Sequence, residues 1–299
     1  MAGIYSGKPA SNKVGALLIC LNMRPRQRAY KKIGRSHELG NPPMSLTYGD
    51  VGDVHEAMVP LGAGAAPVCH FRDHAGVPHY LNTHYWWAYV HPRAVRFFER
   101  QWLTNLILWG NYGRLRDAAL GELGERLPGR TLQVACVYGD LTVRLSERVA
   151  AGGGSLDVVD VLPVQLDNLR RKLPTDAPAH LLRMDSTKLA LPDGHYDRAL
   201  VFFLLHEQPR EDRERTLAEA LRVVRPGGTV VVVDYAQPCW WHPLRYLWRP
   251  LLAALEPFAL DLWRREIADW LPRGRVVRHL RQESYFGGLY QMIVLTRGT

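Results

Sequence analysis

The sequence predicts an α/β fold built on a mostly parallel, seven-stranded sheet whose last strand is antiparallel. Two observations carry that reading. From about residue 129 onward, short apolar runs alternate with amphipathic helical patterns of crossover length, as right-handed βαβ connections require, with helices covering both faces of the sheet. The last two runs, VVRHLRQESYF and GLYQMIVLTR, instead meet through Gly287 and Gly288 as an antiparallel hairpin does.

The elements follow in order. Pro92 suits a first helical turn, and Val95, Phe98, Trp102, Leu106 and Trp109 then recur at steps of three and four, laying an aromatic and aliphatic stripe on a helix. Asn111 and Gly113 interrupt it before a second short helix. After Pro128 and Gly129, TLQVACV reads as a buried first strand, and Leu141, Leu145 and Val149 mark a helix that Gly152–Gly154 ends. SLDVVDV is the second strand, followed by a helix on Leu166, Leu169 and Leu173; HLLRMD is the third strand and YDRALVFFLL the fourth. Leu217, Leu221 and Val224 belong to the helix before RPGG, and TVVVVD is the fifth strand. A Trp-rich helical stretch, Cys239–Leu271, then breaks the alternation ahead of the hairpin. Upstream, residues 36–78 are rich in Gly and Pro without sustained period. The expected organisation is a basic flexible tail (1–44), a Gly/Pro-rich linker (45–79), an aromatic helical cap (80–128) and an α/β domain (129–299) with a helical insertion at 239–271.

Composition narrows the function. At 299 residues and 47% hydrophobic, the chain buries an enzyme-sized core. Its formal charge of +9 is local: Met1–His37 holds eight of the 38 Lys and Arg and no acid, leaving 30 basic against 29 acidic residues. A solvated or membrane-facing arm follows, rather than a nucleic-acid groove. Cys20, Cys69, Cys136 and Cys239 form no CxxC pair, which fits a reducing compartment. The run ALLICL, Ala16–Leu21, is too short to span a membrane. The acid-free, Arg-bearing N-terminus reads as a flexible tail, a mitochondrial presequence, or an extension upstream of a start at Met23 or Met44.

Open α/β sheets bind ligands beyond the carboxyl ends of their strands. There Asp160 ends strand two, where a carboxylate accepts both hydroxyls of a ribose, and Asp185 and Ser186 end strand three, where they meet an adenine edge. Either Asp alone reads equally as a helix cap. The two stand behind a Gly-containing first loop, QVACVYGDLT at Gln133–Thr142, and ahead of LLHE at Leu204–Glu207 and RPGGTVVVVD at Arg225–Asp234.

With DSTKLALPDGHYD at Asp185–Asp197, this set resembles the class I S-adenosylmethionine-dependent methyltransferases, from Thr131 to about Arg297. The resemblance implies a Rossmann-like fold and S-adenosylmethionine as cofactor, held by Gln133, Val134, Ala135, Val137, Tyr138, Gly139, Asp160, Val161, Asp185 and Ser186. Where that family typically places an acid and three alternate glycines, this sequence has Gln133, Ala135, Val137 and Gly139. Two added Cβ atoms and a lost charge put the usual methyl-transfer pose in question.

HYWWAYVHPRAVRFFERQWLTNLILWGNYGRL at His84–Leu115, VYGDLT at Val137–Thr142 and DVVDVLPVQLDNLRRKL at Asp157–Leu173 are also similar to the rhodoquinone-biosynthesis family RquA, across roughly Tyr80–Thr299. That resemblance implies replacement of a ubiquinone methoxy group by an amino group, with S-adenosylmethionine as amino donor and a divalent metal such as manganese, Mn2+. His206 and Tyr235 are then candidate bases, and Asp140 and Glu207 candidate metal ligands. Tyr85, Trp86, Tyr89, Trp109, Asn111, Tyr112 and Trp240 are candidates to hold the flat ring, although each aromatic reads equally as core. His70, His74, His79, His84 and His91, split by Pro78, read as surface loop rather than a metal set. A polyprenyl quinone lives in the bilayer, so peripheral membrane attachment is expected, at the cytoplasmic face of a bacterial inner membrane or in the mitochondrial matrix. An ordinary quinone methyltransferase and a non-catalytic scaffold of quinone synthesis remain the competing readings.

Overall fold

The computed structural model describes residues 77, 78, 80, 81, 95, 97–256, 258–272 and 277–298, all within the unit Met58–Thr299. The tail, most of the linker, and Tyr85, Trp86 and Tyr89 lie outside the described residues.

Seven strands make one sheet in the order β3-β2-β1-β4-β5-β7-β6. They are β1 (Arg130–Val134), β2 (Ser155–Asp160), β3 (Ala179–Arg183), β4 (Tyr196–Phe202), β5 (Val224–Tyr235), β6 (Val277–Tyr285) and β7 (Tyr290–Arg297). Strands β1 to β5 pair in parallel, and β7 runs antiparallel to both β5 and β6. This is the sheet the sequence predicts. Val230 to Val233 of β5 are all buried, as befits a strand covered on both faces. From β1 the chain winds outward to β2 and β3, then returns to β4 on the other side, so the order reverses between β1 and β4.

Among the described residues seven α-helices accompany the sheet: α1 (Gln101–Ile107), α2 (Tyr112–Leu123), α3 (Leu141–Gly152), α4 (Pro163–Arg170), α5 (Arg210–Val223), α6 (Leu244–Leu255) and the single turn α7 (Asp261–Arg264). Helix α2 packs on β5 and β7 through a stripe that includes Leu115, Ala119 and Leu120. Helix α3 packs on β2, α4 on β2 and β3, and α5 on β5.

Three details differ from the sequence reading. The first strand stops at Val134, because Ala135 takes φ +69° and turns the chain out of the sheet. Val224 belongs to β5, where it pairs with Tyr196; Arg-Pro-Gly-Gly then loops out and the ladder resumes at Arg198 and Thr229. Gly228 is required there, since a Cβ would lie 2.6 Å from the Asp197 carbonyl oxygen. Finally, the aromatic stripe is not continuous core: Trp109 lies beyond α1 at φ +53°, and Trp102 is half exposed.

Candidate active site

An open crevice lies beyond the carboxyl ends of β1 to β4, beside the reversal of strand order. The turn after β1 supplies Ala135 and Cys136, and β2 with its following turn supplies Asp160, Val161 and Leu162. Met184, Asp185 and Ser186 follow β3; Phe203, Leu204 and Glu207 follow β4. Pro78, Tyr80 and Leu81 close one side. Leu81 packs there with Val95, Leu162 and Val164 in a second, smaller apolar cluster.

Asp160 ties the first two strand ends together. Its Oδ2 accepts from the Cys136 amide at 2.8 Å and its Oδ1 from the Leu162 amide at 2.8 Å. Burial, only partly offset by these bonds, pushes its carboxyl up to about 6. The Cys136 thiol and the Val161 amide also bond to this carboxylate. Asp185 forms an Asx turn, its Oδ1 accepting from the amide and hydroxyl of Thr187, both at 2.8 Å. The Ser186 hydroxyl is held by Gln208 Nε2 at 3.0 Å and Thr216 at 2.9 Å.

Side chains clamp the first loop. Gln133 is fully buried, and its Nε2 donates to the Ala135 carbonyl at 3.0 Å and to the Thr142 hydroxyl at 2.9 Å. The Lys172 ammonium donates to the carbonyls of Val137 (3.3 Å) and Gly139 (2.9 Å) and pairs with Glu99 at 2.8 Å. Glu99 in turn accepts from the Gly139 amide at 3.1 Å. Gly139, at φ +87°, lies against the Tyr112 ring, where a Cβ would sit 2.7 Å from Cζ. The Tyr112 hydroxyl donates to Asp140 Oδ1 at 3.2 Å and accepts from the Leu141 amide at 3.0 Å.

Of the sequence-derived cofactor residues, Ala135, Asp160, Val161, Asp185 and Ser186 line the crevice. Gln133, Val134, Val137, Tyr138 and Gly139 are not among its lining residues. Val134 is a buried strand residue, and the Tyr138 ring stacks on Phe98 at 6.1 Å while its hydroxyl accepts from Gln165. None of Trp109, Asn111, Tyr112 and Trp240 lines it either. Trp109 packs edge-on against Trp248 at 5.3 Å, the Asn111 amide donates to the Leu108 and Trp109 carbonyls, and Trp240 is 77% exposed.

The candidate bases stand behind the wall. His206 is buried, with Nδ1 2.9 Å from Asp234 and Nε2 3.7 Å from both Glu207 and Glu256. Burial opposes its charge, but Asp234, Glu256 and Glu207 outweigh that and raise it to about 9. The surrounding carboxylates thus favour the imidazolium, with Nδ1 engaged by Asp234. Burial likewise pushes the Tyr235 phenol well above its ordinary value. Glu207 does face the crevice.

The metal expectation does not fit these residues. Asp140 accepts a bidentate bond from Arg116 at 2.7 and 2.8 Å and another from Arg144 at 2.7 Å, which keeps its carboxyl low despite partial burial. No group of three His, Cys, Asp or Glu suited to a metal occurs among the described residues.

Residues 131–228 match the profile of a methyltransferase domain. The ubiquinone/menaquinone biosynthesis C-methyltransferase UbiE of Pseudomonas savastanoi pv. phaseolicola is 30% identical over 181 residues, covering 59% of this chain and 68% of that protein. The chain belongs to the class I S-adenosylmethionine-dependent methyltransferases. The demethylmenaquinone methyltransferase of Thermus thermophilus is 33% identical over 137 residues, 46% of this chain, and the match spans only 60% of that relative's length. Human N-acetylserotonin methyltransferase shares the fold, with a TM-score of 0.53 at 16% identity over 75% of this chain and 64% of that one. Within this methyltransferase crevice, Cys136, Leu162, Gln165, Met184, Phe203 and Leu204 escaped the sequence reading. Phe203 carries the clearest structural signal, a bulky residue held at φ +52°, the kind of strain that collects at functional sites.

Proposed function

We propose that the crevice binds S-adenosylmethionine and that the chain acts on a ubiquinone-type polyprenyl quinone, exchanging a ring methoxy group for an amino group to give rhodoquinone. The clamped first loop is the observation that carries this reading. A loop that had merely lost its glycines would have no reason to match its backbone groups to side chains. Here Gln133, Asp160, Lys172 and Glu99 together engage Ala135, Cys136, Val137 and Gly139. The altered residues are thus built into a defined conformation, with the Ala135 methyl carried on a left-handed backbone at the crevice wall.

In this reading S-adenosylmethionine would supply the amino group: its nitrogen adds to the ring carbon, methoxide leaves as methanol, and β-elimination across the cofactor's Cα–N bond then frees the aminoquinone without any change of oxidation state. Asp160 accepts the ribose hydroxyls, and Asp185 and Ser186 meet the adenine edge. Glu207, facing the crevice, accepts the proton that an ammonium must lose before nitrogen becomes nucleophilic. The His206 cation behind Glu207, fixed by Asp234, keeps that carboxylate oriented.

A quinone C-methyltransferase is the second reading, favoured by the names of the relatives. Purified protein given ubiquinone, with and without manganese, and S-adenosylmethionine labelled in either the amino nitrogen or the methyl carbon separates the two. Nitrogen label in the product is the expected result. Methyl label in the product overturns amination, and cofactor binding without any product marks a scaffold.

A further inference from the structure

We propose that α6 and the turn before it form a docking surface for an anionic phospholipid bilayer. The inference stands apart from the chemistry of the crevice and holds whichever group is transferred.

Trp248 and Leu252, four residues apart on α6, are buried and fix the inner side of the helix. A surface helix ordinarily turns polar on its opposite side. Here Pro243 just before the helix, the adjacent pair Tyr246 and Leu247, Pro250 and Ala253, which recur at about one turn, are all exposed. Tyr246 is 71% exposed and Leu247 60%, and Trp240 and Trp241 extend the patch at 77% and 61%. The helix is therefore apolar on two sides, one of them facing solvent, and a contiguous patch of this kind marks an interaction site.

Charge identifies the partner. Arg245 and Arg249 lie one turn apart on α6, a helix that carries no acid between Leu244 and Leu255. With Arg264 and Trp263 they line a common recess beside the apolar stripe. Arg245 donates to the Pro238 carbonyl at 2.9 Å, and Arg264 lies 3.7 Å from Asp261. Arg249 has no hydrogen bond or ion pair among the described residues. Tryptophan and tyrosine favour the headgroup level of a bilayer, where their rings are buried and their polar edges stay wet. Arginines beside them lay their stems on apolar surface and reach phosphates with their guanidiniums. A second copy of the chain fits poorly, because a two-fold contact would set one basic recess against another. At 12 residues α6 is about 18 Å long, too short to span the bilayer core, so it lies in the plane of the interface.

The test is co-sedimentation of the full chain with phosphatidylcholine vesicles, with and without phosphatidylglycerol. Binding should require phosphatidylglycerol and weaken with salt. The basic tail stays in every variant, so differences report α6. Arg249→Ala should lower the partition coefficient about fivefold, and Trp240→Ser with Trp241→Ser at least about tenfold. Arg215→Ala, an exposed site on α5, serves as the control and should bind like the parent. Melting temperatures should hold throughout, since every altered side chain is exposed. Equal binding to both vesicle types, or α6 variants that bind like the parent, overturns the proposal. So does competition by inorganic phosphate at constant ionic strength, which would mark a free-anion site. A concentration-dependent dimer abolished by the tryptophan changes, without vesicle binding, would assign the patch to self-association instead.

Discussion

Asp160 offers the most direct test of how the crevice holds its cofactor. Its carboxyl is raised from 3.8 to about 6 by burial, which corresponds to about 3 kcal/mol against the ionised form in the fold. The sign follows from proton uptake: between pH 4 and 6 the folded chain binds the proton and the unfolded chain does not, so this site costs stability as pH rises through that window. Ribose hydroxyls need the ionised acceptor. Cofactor affinity should therefore be flat above pH 7 and fall about tenfold by pH 5. Asp160→Asn removes both the charge and the titration. It relieves the buried anion but turns one amide donor toward a backbone N–H, two effects of about 1–3 kcal/mol that nearly cancel in stability. Affinity at pH 7.5 should still drop about 30-fold, or about 2 kcal/mol, the worth of a hydrogen bond to a charged group. Calorimetric titration with S-adenosylmethionine from pH 5 to 8, with thermal melts alongside, measures both. A parent affinity independent of pH, together with an Asn variant that binds equally well, would refute the ribose assignment.

Three further outcomes are expected. Gly139→Ala forces a side chain onto a φ of +87° and into the Tyr112 ring, so urea unfolding should show a loss of at least about 2 kcal/mol; an unchanged midpoint would sink the clamped-loop account. His206, raised from 6.5 to about 9, contributes stability that is complete below pH 6.5 and is lost as pH climbs through 9. NMR titration should find its ring protonated at pH 7.5 in the parent and largely neutral in Asp234→Asn, and a neutral ring in the parent contradicts the assignment. Ala135→Gly removes the crevice-wall methyl and relieves a left-handed alanine; cofactor binding should hold or tighten while aminoquinone formation falls about tenfold, roughly 1.4 kcal/mol of transition-state stabilisation. Undiminished yield would separate the loop from the chemistry.

The sheet was legible because each strand is a short apolar run closed by turn residues, whereas its strand order came only with the structure, since the crossover rule fixes handedness and not order. Asp160, Asp185 and Ser186 were legible for the same reason, as polar residues directly after strands of known direction. Phe203 and Cys136 were not, since an apolar residue after a strand looks like more strand until its backbone angle is seen. The role of Gln133 was misread on similar grounds. Position in the loop suggested an amide facing the cofactor, whereas the long-range partner Thr142 turns it back under the loop. His206 looked like a base because sequence gives its position but not the three carboxylates gathered around it from β5, the turn after β4 and the end of α6.

That last cluster joins the two ends of the molecule's function. Glu256 closes the C-terminal end of α6, and its carboxylate lies 3.7 Å from the same His206 nitrogen that faces Glu207. The helix whose outer stripe is exposed to solvent therefore terminates on the residue that backs the crevice. Burial and Asp234 raise the Glu256 carboxyl, while the His206 cation lowers it, so its charge depends on the imidazolium staying in place. Under the two proposals above, the lipid-docking helix and the proton-accepting carboxylate share one short chain of contacts through His206 and Glu256, an arrangement that suits a substrate arriving from a bilayer. Vesicle binding should accordingly leave the crevice chemistry intact in Arg249→Ala when a short-chain soluble quinone is supplied, and impair it only for the long-chain substrate. Equal loss of activity on both quinones would show that α6 acts on the site itself rather than on delivery.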